Sequence, residues 1–138
     1  MSHSSVRTAF GLLIAAQAAH SIEESLGRLW QVFPPAAFVS GLVSSNREAG
    51  FIVLNIGLVA FGIWCFLWPV SRDWAVAPAF VSIWTVIEIV NGLGHPLWSL
   101  LQGRYTPGVA TAPILLVLAL NLAWRSLGDR SERRSTAS

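Results

Sequence analysis

The side chains able to do chemistry fall into two short strings. The first is His20-Ser21-Ile22-Glu23-Glu24, one imidazole and two adjacent carboxylates with apolar chain on either side. On a helix, residues three and four apart share a face, so His20 is expected to meet both Glu23 and Glu24 one turn on. Gln17 extends the same stripe. The second string is Glu88, Asn91 and His95, spaced i, i+3, i+7, which also makes one helical stripe. Imidazole nitrogen with carboxylate oxygen is the donor mixture of zinc and non-haem iron sites. Without a metal, the same groups suit proton transfer, in which one carboxyl donates and another group accepts. A carbocation would also be stabilised there, by the carboxylates and by the face of Trp84 one turn before Glu88.

The elements that must position these groups are apolar. Of 138 residues, 54% are hydrophobic and only 12% charged, where soluble domains carry about a quarter charged residues. Seven Trp fit a chain anchored at membrane interfaces. Lysine is absent, and a net charge of +2 does not suggest nucleic-acid binding. The single Cys65 excludes an intrachain disulfide or a cysteine-based zinc site. Four spans of the length a ~30 Å hydrocarbon layer requires are read at residues 7–30, 48–69, 74–101 and 107–124. The first also resembles a signal peptide, but apolar residues resume beyond its carboxylates, which favours a retained helix. Phe33-Pro34-Pro35 ends it, and residues 36–47 form a loop or short interfacial piece closing on the helix-start signal Ser44-Ser45-Asn46-Arg47. Pro107 suits the first turn of the fourth span. The expected fold is all-α: a four-helix transmembrane bundle with short loops, residues 1–127 as one domain and 128–138 as a disordered charged tail.

Counting residues places the two strings at one depth. At 1.5 Å per residue, His20 and Glu88 both lie about 20 Å along outward-running spans, with Glu24 and Asn91 at about 25 Å. Asn55 falls in the same layer. Polar stripes cannot face hydrocarbon, so the first and third spans are expected to face each other across the interior. Pro96 is expected to kink the third span and free the Gly92 carbonyl. Taken singly, Gln17, Asn55 and Asn91 read at least as well as interhelical hydrogen bonds, and Asn121, deeper toward the cytoplasm, reads as one. Three carboxylates with no buried arginine to offset them are different: they repel unless a metal or an imidazolium compensates. The arginines set the orientation. Arg7, Arg72, Arg125, Arg130, Arg133 and Arg134 share one side and Arg28, Arg47 and Arg104 the other, which puts both termini in the cytoplasm.

With these elements in place, the chain resembles the HXXEE-motif family of bacterial membrane proteins. His20, Glu23 and Glu24 carry the motif; Glu88, Asn91 and His95 match a later polar helix, and Tyr105, Pro107, Gly108 and Thr111 match a Y-x-P-G-x-x-T stretch. The resemblance implies a fold and a site but no reaction. Sterol-isomerase-like and membrane terpene-cyclase proteins also gather His, Glu and Asn in small bundles, a similarity of composition alone.

The function expected is an intramembrane enzyme acting on a lipophilic small molecule. His20, Glu23, Glu24, Glu88, Asn91 and His95 are its catalytic candidates. All but Asn91 are also candidate ligands of one divalent metal, zinc or iron. The alternatives are a proton-coupled carrier and a structural bundle without catalysis. The partners expected are the bilayer and the small molecule, and the location is the bacterial inner membrane.

Overall fold

A computed structural model describes residues 3–136, with side chains described for residues 4–128. Every regular element among them is helical: α1 (His3–Leu26), α2 (Leu29–Val32), α3 (Pro34–Val43), α4 (Arg47–Cys65), α5 (Ala77–Gln102) and α6 (Ala112–Thr136). A π-helical turn, Phe66–Val70, prolongs α4. Pro69 withholds its N–H there, and the bonding shifts register, with Ser71 N donating to the Phe66 carbonyl at 3.0 Å.

The four long helices, α1, α4, α5 and α6, fall on the four segments expected to be helical, with altered ends. α1 stops at Leu26 rather than near Trp30. Arg28 takes a left-handed conformation (φ 54°), and Gly27 lies against the Pro107 ring, where a Cβ would come within 2.5 Å of Pro107 Cγ. The Pro34-Pro35 pair does end one segment, but it also opens α3, since proline is pre-set for a first turn. The piece expected at residues 36–47 is therefore mostly helix. α4 starts as read: Asn46 Oδ1 accepts from Ala49 N at 3.2 Å. α5 runs on through Pro96 and ends on Gly103 in the left-handed conformation. Pro107 does not begin the fourth helix; residues 107–111 are turns, and α6 starts at Ala112.

The α6 backbone stays helical to Thr136 where disorder was expected from residue 128, and residues 137–138 lie outside the described range. Extending a formed helix avoids the cost of nucleation, and the Arg and Glu residues of this stretch tolerate helix well.

The interior changes character along its length. On α1 the buried stripe reads Ala9, Phe10, Leu13, Ile14 and then Gln17, His20, Ser21, Glu24. On α5 it reads Val81, Trp84, Thr85 and then Glu88, Gly92, His95. Both stripes turn from apolar to polar at a corresponding level. The apolar half is closed by Cys65, Leu115, Ala119 and Leu122. α1 packs its backbone on α4 and α6, and α5 packs on α6. α1 and α5 meet through polar side chains, as the two stripes required.

Two helical stretches are long and apolar enough to cross a membrane: Arg47–Val70 and Ala77–Gln102.

Candidate metal centre

His20, Glu24 and His95 converge. Their candidate ligand atoms all lie within 4.8 Å of one another. Glu24 Oε1 is 3.4 Å from His20 Nε2 and 3.1 Å from His95 Nε2. The rings meet edge to face with centroids 4.7 Å apart. All three residues are buried, His20 completely.

The opposite nitrogen of each ring is tied down. His95 Nδ1 lies 2.9 Å from the Pro107 carbonyl, which can only accept, so Nδ1 carries the proton. His20 Nδ1 lies 2.7 Å from Thr111 Oγ1. The Thr111 hydroxyl has one proton, and it donates that to Glu23 Oε2 at 2.5 Å. His20 Nδ1 must therefore donate to Thr111. With Nδ1 carrying the proton, a neutral ring bears its lone pair on Nε2, and both Nε2 atoms are turned towards a Glu24 carboxylate oxygen. His20 Nε2 is buried with no hydrogen-bond partner among the described residues. Acceptors brought together this way need a cation or a shared proton among them. Ligand atoms on a zinc ion with bonds of ~2.1 Å and tetrahedral angles stand about 3.4 Å apart. The two Glu24 distances lie close to that spacing, and two histidines with one carboxylate are a donor set of zinc and non-haem iron(II).

The loop between α5 and α6 supplies the outer contacts, and Glu23 holds it. Glu23 Oε1 accepts from Tyr105 Oη at 2.6 Å and from Gly108 N and Ala110 N at 3.0 Å each. Glu23 Oε2 accepts from Thr111 N at 2.9 Å as well as from the Thr111 hydroxyl. The loop's other end is tied to α5, where Ser99 Oγ accepts from Thr106 N at 3.2 Å. Gly108 (φ 94°) lies on both imidazoles: a Cβ there would sit 2.5 Å from His95 Nδ1 and 2.9 Å from His20 Cε1.

The expected site residues thus divide. Successive helical residues point ~100° apart, so Glu24 joins the imidazoles while Glu23 turns to the loop and reaches His20 only through Thr111. Glu88 forms a layer beneath. The Gln17 amide is satisfied at both ends when its nitrogen faces Glu88, at 3.0 and 2.9 Å from the two carboxylate oxygens, with its oxygen accepting from Ser21 Oγ at 3.0 Å. Asn91 Nδ2 adds a bond to Glu88 Oε2 at 3.3 Å. Asn55 bonds within its own helix, to the Phe51 carbonyl. Residue chemistry alone missed the loop's share in the site, from Tyr105, Pro107, Gly108 and Thr111. Their only signal was the Y-x-P-G-x-x-T pattern, because backbone amides and carbonyls leave no mark in side-chain composition.

Fold and site together define an all-helical protein with a buried His/Glu/His cluster under a polar loop. The chain belongs to the HXXEE family: the family model described as a protein of unknown function with HXXEE motif matches residues 11–122. No curated protein and no solved structure matches it.

Proposed function

We propose that this protein is an integral membrane enzyme in which His20, Glu24 and His95 hold one divalent metal, zinc or iron(II), and act on a lipophilic small molecule. The observation that carries the reading is the pair of Nε2 atoms facing Glu24, each made a lone pair by a fixed Nδ1 proton. Metal-binding histidines commonly have the second nitrogen bonded in this way. When bound, the metal would polarise a substrate oxygen or lower the pKa of a water. Glu88, one layer below, is the acid–base group of the same centre, with Asn91 orienting its carboxylate.

The outer surface supports a membrane location for all four long helices. α1 lacks the hydropathy of a simple span because its polar residues are the site, and these are turned inward. Its outward residues include Leu12, Ile22 and Leu26, and those of α6 include Ile114, Val117, Leu120 and Trp124. Large contiguous apolar surfaces of this kind are rare on soluble monomers. In this reading both termini are cytoplasmic.

A proton-coupled carrier would need polar groups continuing to the other end. There the interior is Phe10, Leu13, Trp84, Leu115 and Leu122, each fully buried. Asn121 is exposed and accepts from Arg125 Nε at 2.7 Å. A centre closed at one end favours catalysis over transport. The test is metal content of detergent-purified protein after loading with zinc or iron(II). One metal per chain, lost in His20→Ala, is expected; a metal-free protein, or equal content in the variant, would remove the metal centre.

A further inference from the structure

Beside the triad, Phe33, Val90, Asn91, Gly94, His95 and Trp98 line a hollow of about 120 Å³. We propose that it receives the head of a neutral, oxygen-bearing lipid, a ketone or alcohol on a hydrocarbon chain. The proposal names the substrate class of the metal centre and rests on that reading for its catalytic meaning.

Four observations carry it. The hollow shares His95 with the triad and Asn91 with the Glu88 layer, so an occupant lies beside the proposed chemistry. Its volume is well below the ~300–1,000 Å³ of drug-sized pockets, enough for a head group and not for a whole lipid. Val90 at its edge and the neighbouring α5 surface are apolar and open: Val90, Leu93 and Leu97 are 62%, 56% and 58% exposed. A chain can therefore stay in hydrocarbon while its head enters sideways. Finally, the Trp98 indole N–H is buried and finds no acceptor among the described residues. Such a donor is costly to leave unmet, and a ligand oxygen that parts Trp98 from Phe33 would meet it.

Charge decides the class of head. No arginine lines the hollow, and the Glu24 and Glu88 carboxylates stand behind His95 and Asn91. The charges of Glu24 and Glu88 already balance a divalent metal at the centre, so a phosphate or carboxylate there would add charge that nothing offsets. A carbonyl or hydroxyl needs only the indole donor and the Phe33 and Trp98 ring faces, whose centroids are 5.2 Å apart. Gly94 leaves the space open. A Cβ at that position meets nothing within 4 Å, so a larger side chain can fill the hollow without disturbing the fold.

The experiment is equilibrium binding of three labelled probes to the full chain in lipid nanodiscs, corrected against empty discs. The probes are decylcyclohexanone, decylcyclohexane and decylcyclohexanecarboxylate. The ketone is expected to bind roughly tenfold more tightly than the hydrocarbon, the scale of one buried hydrogen bond, and more tightly than the carboxylate. Trp98→Phe should erase that preference and leave hydrocarbon binding unchanged, and Gly94→Leu should weaken both. Equal binding of ketone and hydrocarbon, a preference that survives Trp98→Phe, or a carboxylate bound as tightly as the ketone would overturn the proposal. Zinc content measured on the same samples separates the two readings. Bound zinc without a ketone preference removes the hollow alone. A ketone preference in protein that binds no metal upholds the hollow and removes the metal centre.

Discussion

The Thr111 hydroxyl donates a hydrogen bond to Glu23 and accepts one from His20. Its Oγ1 lies 2.5 Å from Glu23 Oε2 and 2.7 Å from His20 Nδ1. That relay joins two members of one helical motif through a residue on the far side of the chain, and it sets which His20 nitrogen is free. Thr111→Val keeps the shape but removes the relay. Zinc affinity, measured by chelator competition, should fall ~10–100-fold, as for other outer-shell partners. Thr111→Ser should retain it. Unchanged affinity in the valine variant would show that Thr111 does not orient the ring.

Gly108 is constrained by both its backbone and its neighbours. Gly108→Ala places a methyl group on His95 and imposes a left-handed conformation, which alone costs ~1–3 kcal/mol. Gly57 has open space around its Cβ position, so Gly57→Ala should be neutral or gain ~0.5–1 kcal/mol from helix propensity. Thermal unfolding in detergent should separate the two variants clearly, and equal effects would place the loop elsewhere.

Tyr105, the only tyrosine, reports on the Glu23 clamp. Its hydroxyl donates to the Glu23 carboxylate, which pushes its pKa up to about 12 from 10.0. A raised acid of this kind stabilises the fold fully below its unfolded pKa, near 10, and the contribution is lost as pH rises through about 12. Tyrosinate absorbance should therefore appear late in wild type and earlier, nearer 10, in Glu23→Gln. Identical titrations would mean that the Tyr105–Glu23 bond does not form.

The layer beneath makes a separate prediction. Gln17 and Glu88 bind each other, so removing either strands the other in a buried site at ~1–3 kcal/mol. Gln17→Leu with Glu88→Leu should cost less than the sum of the two single changes, because contacting residues are not additive. A double-mutant cycle on unfolding in detergent measures the coupling, and strict additivity would separate the pair.

Much of the arrangement was legible because helices impose a period. The stripes at 17, 20, 24 and 88, 91, 95, and their common depth, follow from rise and turn alone, and α1 and α5 do meet through them. Glu23 was not legible as a clamp. Its donors are three backbone amides and two hydroxyls of a distant loop, none of which has a helical period. Pro107 was misplaced for the same reason: the Glu23 carboxylate takes the amides of Gly108, Ala110 and Thr111 and holds residues 107–111 as turns. Pro34-Pro35 was read only as a stop, although the geometry that ends one helix suits the first turn of the next.

The central claim is that His20, Glu24 and His95 hold one metal through two Nε2 atoms and a carboxylate oxygen. X-ray absorption at the metal edge of zinc-loaded protein tests it most directly. Two imidazoles and oxygen donors at ~2.0–2.1 Å are expected, falling to one imidazole in His95→Ala and unchanged in Glu88→Gln. A shell without imidazole, or one that His95→Ala leaves the same, would contradict the account.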